Sequence, residues 1–269
     1  GNSTAAAIDV FETVKKVYGV EIFKGYVDQT EKKLQEYQKN NLIVSYELYN
    51  ADVFNFDFRE IANQNPDQNI LVIGNPPWVT NSGLGKNDGV NLPVKGNINK
   101  TKGIEAITGK GNFDIAESIC NQIIDAFSHH GNTHIALLVK NSVVKNIIHR
   151  QHFHPRRIQD VRQLVFDAKK EFNVSVPASL FECHIGNDCQ KECISYDFYT
   201  KRITHSFGWV NEAFVSNIQD YGRTSFLDGQ SPLIWRSGIK HDCSKVMELS
   251  LNDSTYQNGL KEVVDVDGM

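Results

Sequence analysis

The sequence predicts an α/β fold with a mainly parallel sheet and an antiparallel finish, on three observations. Strand-like and helix-like runs alternate along most of the chain, the pattern of βαβ units. Gln68–Asn75 (QNILVIGN) is an almost continuous apolar run, as expected of a strand covered on both faces, and Thr133–Lys140 reads as a second buried strand. Three late strand-like runs, Val161–Asp167, Val174–Ile185 and Ile194–Thr200, follow closely on one another without helices between them, which favours antiparallel pairing at that end.

The elements follow in order. Ala5–Lys16 reads as a helix because Ile8, Phe11 and Val14 recur near helical spacing. Val17–Ile22 is a short β-rich run. Lys24–Lys39 is helical, with Val27, Leu34 and Tyr37 on a common side. Tyr46–Ala51 is a strand ending at Asp52. Asn112–Phe127 is the clearest helix, since Ile115, Ile119, Ile123, Ile124 and Phe127 form one stripe. Ser142–Arg150 is a helix with Ser142 as candidate N-cap. After Thr200 the alternation stops. Right-handed crossovers place the carboxyl ends of parallel strands on one edge, where ligands bind. Glu21, Asp52 and Asn75 all fall at such ends.

Composition narrows the function classes. With 269 residues, 40% hydrophobic and 22% charged, the chain is near globular averages, which excludes disordered, collagen-like and coiled-coil classes. No apolar run approaches the roughly 20 residues of a membrane helix, and no basic-then-apolar signal opens the chain. A cytoplasmic protein without a membrane partner is the expectation. The net charge of −4 argues against a binder held by charge alone. Locally, eight Lys or Arg and two acids occupy Lys140–Lys170, either a nucleic-acid surface or simply a solvated basic face. Cys183, His184, Cys189 and Cys193 lie close in sequence without a CxxC pair, so reduced thiols near a hairpin end are expected and no metal.

Asn75-Pro76-Pro77-Trp78 carries the chemistry. Two prolines cannot continue a central strand, because neither has an N–H for the ladder, and they hold the chain extended. The Asn side chain and a nearby carbonyl can offer two acceptors to one amino group, and Trp78 offers a flat face to a planar ring. The alternative for the tetrapeptide is a strand-ending turn followed by a core Trp.

This tetrapeptide resembles motif IV, (D/N/S)PP(Y/F/W), of the S-adenosylmethionine-dependent amino-group DNA methyltransferases; the Asn-first form is typical of adenine methylation in that family. The resemblance covers roughly residues 1–200. It implies a Rossmann-like methyltransferase sheet and transfer of a methyl group from S-adenosylmethionine to the 6-amino group of adenine in double-stranded DNA. Asn75, Pro76, Pro77 and Trp78 would form the catalytic motif, and Glu21, Asp52, Phe54, Asn75 and Gly1 would meet the cofactor. Glu21 is otherwise an exposed strand-end acid, and Asp52 a turn cap. The family's first strand and its glycine-rich loop, (D/E)xxxGxG, have no counterpart before Glu21 except Gly1 as the last glycine. The first strand is thus expected to be missing and the cofactor site incomplete.

Further matches concern the DNA side. Lys102–Gly109 and Asn112-Phe113-Asp114 look like a subgroup found in restriction–modification systems, and a restriction endonuclease, fused or separate, is an expected partner. Lys169–Val174 resembles the family's eighth motif, which assigns Phe172 to stacking on the flipped base; a core Phe is the alternative. The glycine- and lysine-rich segment Val79–Gly111 is expected to touch phosphates or to be an insertion without function. Lys140, Lys169, Lys170, Arg236 and Lys240 are candidate DNA contacts. The expected domains are a catalytic domain over 1–202 and the start of a target-recognition region over 203–269, also incomplete. Two other readings stay open: a protein glutamine-amide methyltransferase, which also uses an NPP-aromatic sequence, and a non-catalytic DNA-binding remnant.

Overall fold

The computed structural model describes residues 2–78, 114–229, 248–253 and 255–264. They form two compact units, Gly1–Thr224 and Ser225–Met269.

The first unit is a mixed α/β structure. Its strands are β1 (Lys16–Glu21), β2 (Ser45–Asn50), β3 (Ile70–Gly74), β4 (Thr133–Lys140), β5 (Ile158–Phe166), β6 (Ala178–Ile185), β7 (Glu192–Asp197), β8 (Ile203–Val210) and β9 (Ala213–Val215). Its helices are α1 (Asn2–Val10), α2 (Lys24–Lys39), α3 (Arg59–Gln64), α4 (Ile115–Phe127), α5 (Asn141–Phe153), α6 (Ala168–Phe172) and α7 (Ile218–Thr224). β1 and β2 pair in parallel as a separate two-stranded sheet. The other strands form a seven-stranded sheet in the order β3-β4-β6-β5-β7-β8-β9. Both sheets pack against one core, in which Tyr18 and Val20 of β1 meet the cluster that also receives Ile70 and Val72 of β3.

The large sheet is mixed, with β3, β4, β5, β7 and β9 running one way and β6 and β8 the other. β3 pairs with β4, and β5 with β7, in parallel; β6 is antiparallel to both β4 and β5, and β8 is antiparallel to β7 and β9. The reason is connection length. Between β5 and β6 lies only the five-residue α6, too short for a parallel crossover, so the chain turns back and fills the place beside β4. The expected strand over Val174–Ile185 starts late, as β6 at Ala178. Asp167 caps α6 by accepting the N–H groups of Lys169 and Lys170, Asn173 ends it in the left-handed conformation (φ 57°), and β6 begins after Pro177.

Two other expectations change. The β3 strand, read as covered on both faces, is covered on one among the described residues: Leu71 is 42% and Ile73 37% exposed, while Ile70 and Val72 pack on the core. The first helix ends at Val10 instead of Lys16, because the chain must be extended by Lys16 to pair with Ser45.

β8 and β9 extend the sheet past Thr200, where the sequence pattern was silent. They dock on α5 through aromatic rings. Trp209 stacks on His152 at 4.1 Å, and its indole N–H donates to the His149 carbonyl at 3.1 Å. The first compact unit runs to Thr224. The second unit contains the antiparallel sheet of β10 (Leu249–Asn252), β11 (Thr255–Asn258) and β12 (Val263–Val264), whose last turn is held by the Asn258 side chain, accepting from Leu260 and Glu262 N–H at 3.0 Å each. No helix among the described residues is long and apolar enough to cross a membrane.

Candidate active site

The Asn75–Trp78 motif leaves the sheet at the carboxyl end of β3. Asn75 is exposed, Pro76 buried, Pro77 exposed and Trp78 half-buried. Among the described residues the Asn75 carboxamide has no hydrogen-bond partner. The proline explains where Trp78 goes. At the start of the ladder Ile70 N–H donates to the Asn132 carbonyl at 2.9 Å. In a parallel ladder donors recur at every second residue, so Val72, Gly74 and then residue 76 face the carbonyls of His134, Ala136 and Leu138. Residue 76 is proline and has no N–H to give. The Trp78 indole fills that place, its Nε1–H donating to the Leu138 carbonyl at 3.0 Å. The prolines thus end the ladder, and the indole restores the bond that the first of them removes.

Trp78 packs with Leu138, Phe166, Ala168, Ala178 and Phe198. Beside it stands Phe172, the last residue of α6, 45% exposed and edge-to-face with the indole at 5.8 Å and 78°. The fold brings these two aromatic residues together from positions ninety-four apart. Lys169 and Lys170 on the same short helix are exposed, and Lys170 Nζ lies 4.9 Å over the Tyr199 ring. The Tyr199 hydroxyl donates to Glu171 at 2.8 Å, which ties α6 to the turn after β7.

Lys140 behaves otherwise than the sequence led us to expect. It ends β4, its side chain is only 16% exposed, and its ammonium is ion-paired with Asp114, 11% exposed. Asp114 is the N-cap of α4 and accepts Ala116 N–H at 3.0 Å. One turn on, Glu117 is buried and accepts from Asn146 of α5 at 2.7 Å. Burial pushes the Glu117 carboxyl above the usual carboxylate range, with the neighbouring Asp114 adding to the shift and the Asn146 bond opposing it. A carboxyl whose pKa is raised by folding contributes fully below its unfolded pKa, and that contribution is lost as pH rises through the folded value. Glu117→Gln retains an acceptor for Asn146 and has no charge to bury. We expect the variant to match the parent near pH 4 and to melt a few degrees higher at pH 8. Thermal melts across that range check this; an equal melting temperature at both ends would remove the burial argument.

At the other sheet, Glu21 and Asp52 lie at neighbouring strand ends. Asn50 joins them, its Nδ2 donating to the carbonyls of Glu21 (3.0 Å) and Ile22 (2.8 Å), and Ala51 N–H donates to the Glu21 carbonyl at 3.1 Å. Each carboxylate uses one oxygen locally: Glu21 Oε1 accepts Phe23 N–H at 2.9 Å and Asp52 Oδ1 accepts Phe54 N–H at 3.0 Å. The second oxygen of each has no partner among the described residues. Phe54 packs against the main core. Gln122 of α4 donates to the carbonyls of Val53 and Phe56 at 2.8 and 3.0 Å, which fixes this loop to the large sheet's helix layer.

Gly1, Arg236, Lys240 and the segment Val79–Gly111 lie outside the described residues. Cys120, Cys183 and Cys193 are buried and free, and burial pushes the Cys183 thiol up to about 12. The basic stretch over Lys140–Lys170 does not form one surface: besides Lys140, Arg156 is buried and Arg162 pairs with Glu182. Sequence reasoning missed the partners of Lys140 and Arg156 and the acceptor of the Trp78 indole. The one local signal was Asp114, recognisable as a residue opening a helix.

No family model matches the chain. A partial likeness exists to the solved structure of the Type IIL restriction-modification enzyme MmeI in complex with DNA, with a TM-score of 0.39 and 14% identity over 58% of this chain and 20% of that one. A likeness of that size carries no argument. The sequence comparison is stronger. The chain is 35% identical over 269 residues, 99% of its length, to the Type II methyltransferase M.NspV of Nostoc sp.. It spans 55% of that relative's length. Over nearly its whole length, then, this chain is similar to a Type II methyltransferase of which it spans about half.

Proposed function

We propose that the chain is the catalytic part of an S-adenosylmethionine-dependent DNA methyltransferase that modifies the 6-amino group of adenine within a restriction–modification system. One observation carries the reading: an exposed Asn75 on a proline-stiffened bend, between the end of a parallel strand and an anchored Trp78, with Phe172 alongside.

The adenine amino lone pair is delocalised into its ring and is a poor nucleophile. The Asn75 carboxamide oxygen accepts one amino hydrogen and a nearby backbone carbonyl accepts the other, which draws the nitrogen toward tetrahedral geometry and frees the pair for attack. The chain's contribution is positioning and electrostatic complementarity. Turning a base out of the duplex costs a few kcal/mol, and stacking on an aromatic ring returns roughly 1–3 kcal/mol. Phe172, exposed beside Trp78, supplies such a ring.

When bound, S-adenosylmethionine supplies the methyl group. The acceptor chemistry at the strand ends suits it: the open oxygen of Glu21 would accept from the ribose hydroxyls, and that of Asp52 from the adenine amino group. The divided sheet supports the Rossmann-like reading, since β1 and β3 share a core without a ladder between them, as they would on either side of one more strand.

The test is transfer of labelled methyl by the full-length protein. We expect label in DNA, recovered as N6-methyladenine. Label in protein instead would point to a glutamine-amide substrate, and no transfer to either to a DNA-binding remnant. DNA affinity should fall steeply and log-linearly with salt, because phosphate contacts release counterions. A flat response counts against DNA.

A further inference from the structure

A helix of five residues does not hold itself in water, because too few backbone bonds offset the cost of its first turn. α6 is such a helix, and it carries Phe172, the exposed ring beside Trp78. Its start is fixed by the Asp167 cap and by Ala168, which is buried in the cluster that contains Trp78 and Phe166. At its far end Phe172 meets Trp78 and Phe166 edge-to-face, each at 5.8 Å. The Tyr199 hydroxyl touches both ends of the helix: it donates to Glu171 Oε1 at 2.8 Å and accepts the Asp167 N–H at 3.4 Å. We infer that Tyr199, from the turn between β7 and β8, is a positioning residue for Phe172: it holds α6 so that this ring stands beside Trp78, where a flipped base would stack.

The turn that presents Tyr199 is itself well held. Asp197 Oδ1 accepts the Tyr199 N–H at 3.1 Å, the Thr200 N–H at 2.7 Å and the Thr200 hydroxyl at 2.8 Å. Lys201 closes the turn in the left-handed conformation (φ 57°), its N–H donating to the Asp197 carbonyl at 2.9 Å. Phe198 N–H donates to the Val165 carbonyl at 2.9 Å, and the Phe198 and Phe166 rings meet at 5.9 Å. The turn is thus fastened to β5, the strand that leads into α6, so turn and helix share one frame. Glu171 directly precedes Phe172, and a shift of one reaches the other through a single planar peptide unit. The hydroxyl also stays a donor: its bond to Glu171 holds the Tyr199 pKa above the ordinary tyrosine value. Without that bond the end of α6 is free to turn, and the Phe172 ring leaves its place beside the indole for part of the time.

This rests on the methyltransferase reading with Phe172 as the stacking ring, and a double-mutant cycle in the full-length protein separates the two. Phe172→Ala is expected to lower kcat/KM for methyl transfer to unmodified plasmid DNA roughly 5- to 150-fold, the worth of one base stacked on a ring. Tyr199→Phe, which keeps the ring under Lys170 and removes only the hydroxyl, should lower it about 5-fold, with KM for S-adenosylmethionine as in the parent. In the Phe172→Ala background Tyr199→Phe should cause no further fall, because its effect passes through the ring already removed. Independently of activity, hydrogen exchange of the Glu171 and Asn173 amides, which donate to the carbonyls of Asp167 and Lys169, should quicken several-fold in Tyr199→Phe. It should remain slow in Glu171→Gln, where an acceptor for the hydroxyl is kept. Should Tyr199→Phe fail to fold, Glu171→Ala breaks the same bond from the other side and enters the same cycle. Losses that multiply in the double variant overturn the positioning role, and so does unchanged exchange in Tyr199→Phe. Full activity in Phe172→Ala removes the stacking ring and the inference with it, while methyl transfer by the parent still upholds the methyltransferase reading. A parent protein that methylates nothing refutes the proposed function, and the exchange rates still decide whether Tyr199 holds α6.

Discussion

Asn75→Ala is expected to lower methyl transfer about 10²–10³-fold while leaving the melting temperature within a degree or so of the parent. The side chain is exposed and has no partner among the described residues, so no packing or hydrogen bond is removed with it. Surface changes of that kind usually stay within about 0.5 kcal/mol. The reaction, by contrast, loses the acceptor aimed at the amino group. Removing one preorganised hydrogen-bonding group that acts in a transition state typically costs about 10²–10³ in kcat, near 3–4 kcal/mol. Because Pro76 and Pro77 hold the bend, a neighbouring group cannot readily swing in to replace it. Asn75→Asp keeps an acceptor in the same place and should fall less. Single-turnover methyl transfer, alongside a thermal melt, decides the matter. Full activity in the alanine variant removes Asn75 from the chemistry.

Arg156→Ala should produce the largest loss of stability in the first unit. Arg156 is 8% exposed and joins α4, α5 and the start of β5. Its Nη1 donates to Asn121 Oδ1 at 2.6 Å, its Nε to Gln151 Oε1 at 3.2 Å and its Nη2 to the Ile147 carbonyl at 3.4 Å, with Asp125 at 3.6 Å. Gln151 is itself buried and grips the Arg156 backbone at both its N–H (3.0 Å) and its carbonyl (2.7 Å). Truncation leaves a cavity and strands Asn121 and part of Gln151 without partners. Breaking a buried charged network by deleting one member costs about 3–5 kcal/mol. For a unit of this size that corresponds to roughly 6–20 °C in melting temperature. Arg156→Lys should recover little, because an ammonium cannot reproduce the planar fork. Denaturant titration measures the loss; a change under 1 kcal/mol would show that the network is dispensable. Burial already disfavours the charged guanidinium, so the arrangement is held by its partners rather than by attraction alone.

How much of this was legible in the sequence differs from element to element. Lys24–Lys39 and Thr133–Lys140 appear with the boundaries that periodicity predicts, and the stripe of isoleucines on α4 is the face that packs on the sheet. The late start of the strand expected over Val174–Ile185 was not legible. The short α6 depends on Asp167 as a cap and Asn173 in a left-handed turn, both single-residue devices inside a β-rich stretch. β8 escaped notice because what anchors it is contact with α5, sixty residues away.

By itself the sequence determined where the chain would be helical or extended over its strongly periodic segments, and it singled out Asn75-Pro76-Pro77-Trp78 as a bend unable to continue a ladder. Those properties are local: backbone period and missing N–H groups act within a few residues. Only the tertiary structure decided that Leu71 and Ile73 face outward, that Lys140 is turned to Asp114 and away from solvent, and that the Trp78 indole takes the carbonyl its own proline left open. Each of those outcomes depends on which strand lies alongside, and a side chain's partner across a sheet or a helix pair is set by packing between segments distant in sequence.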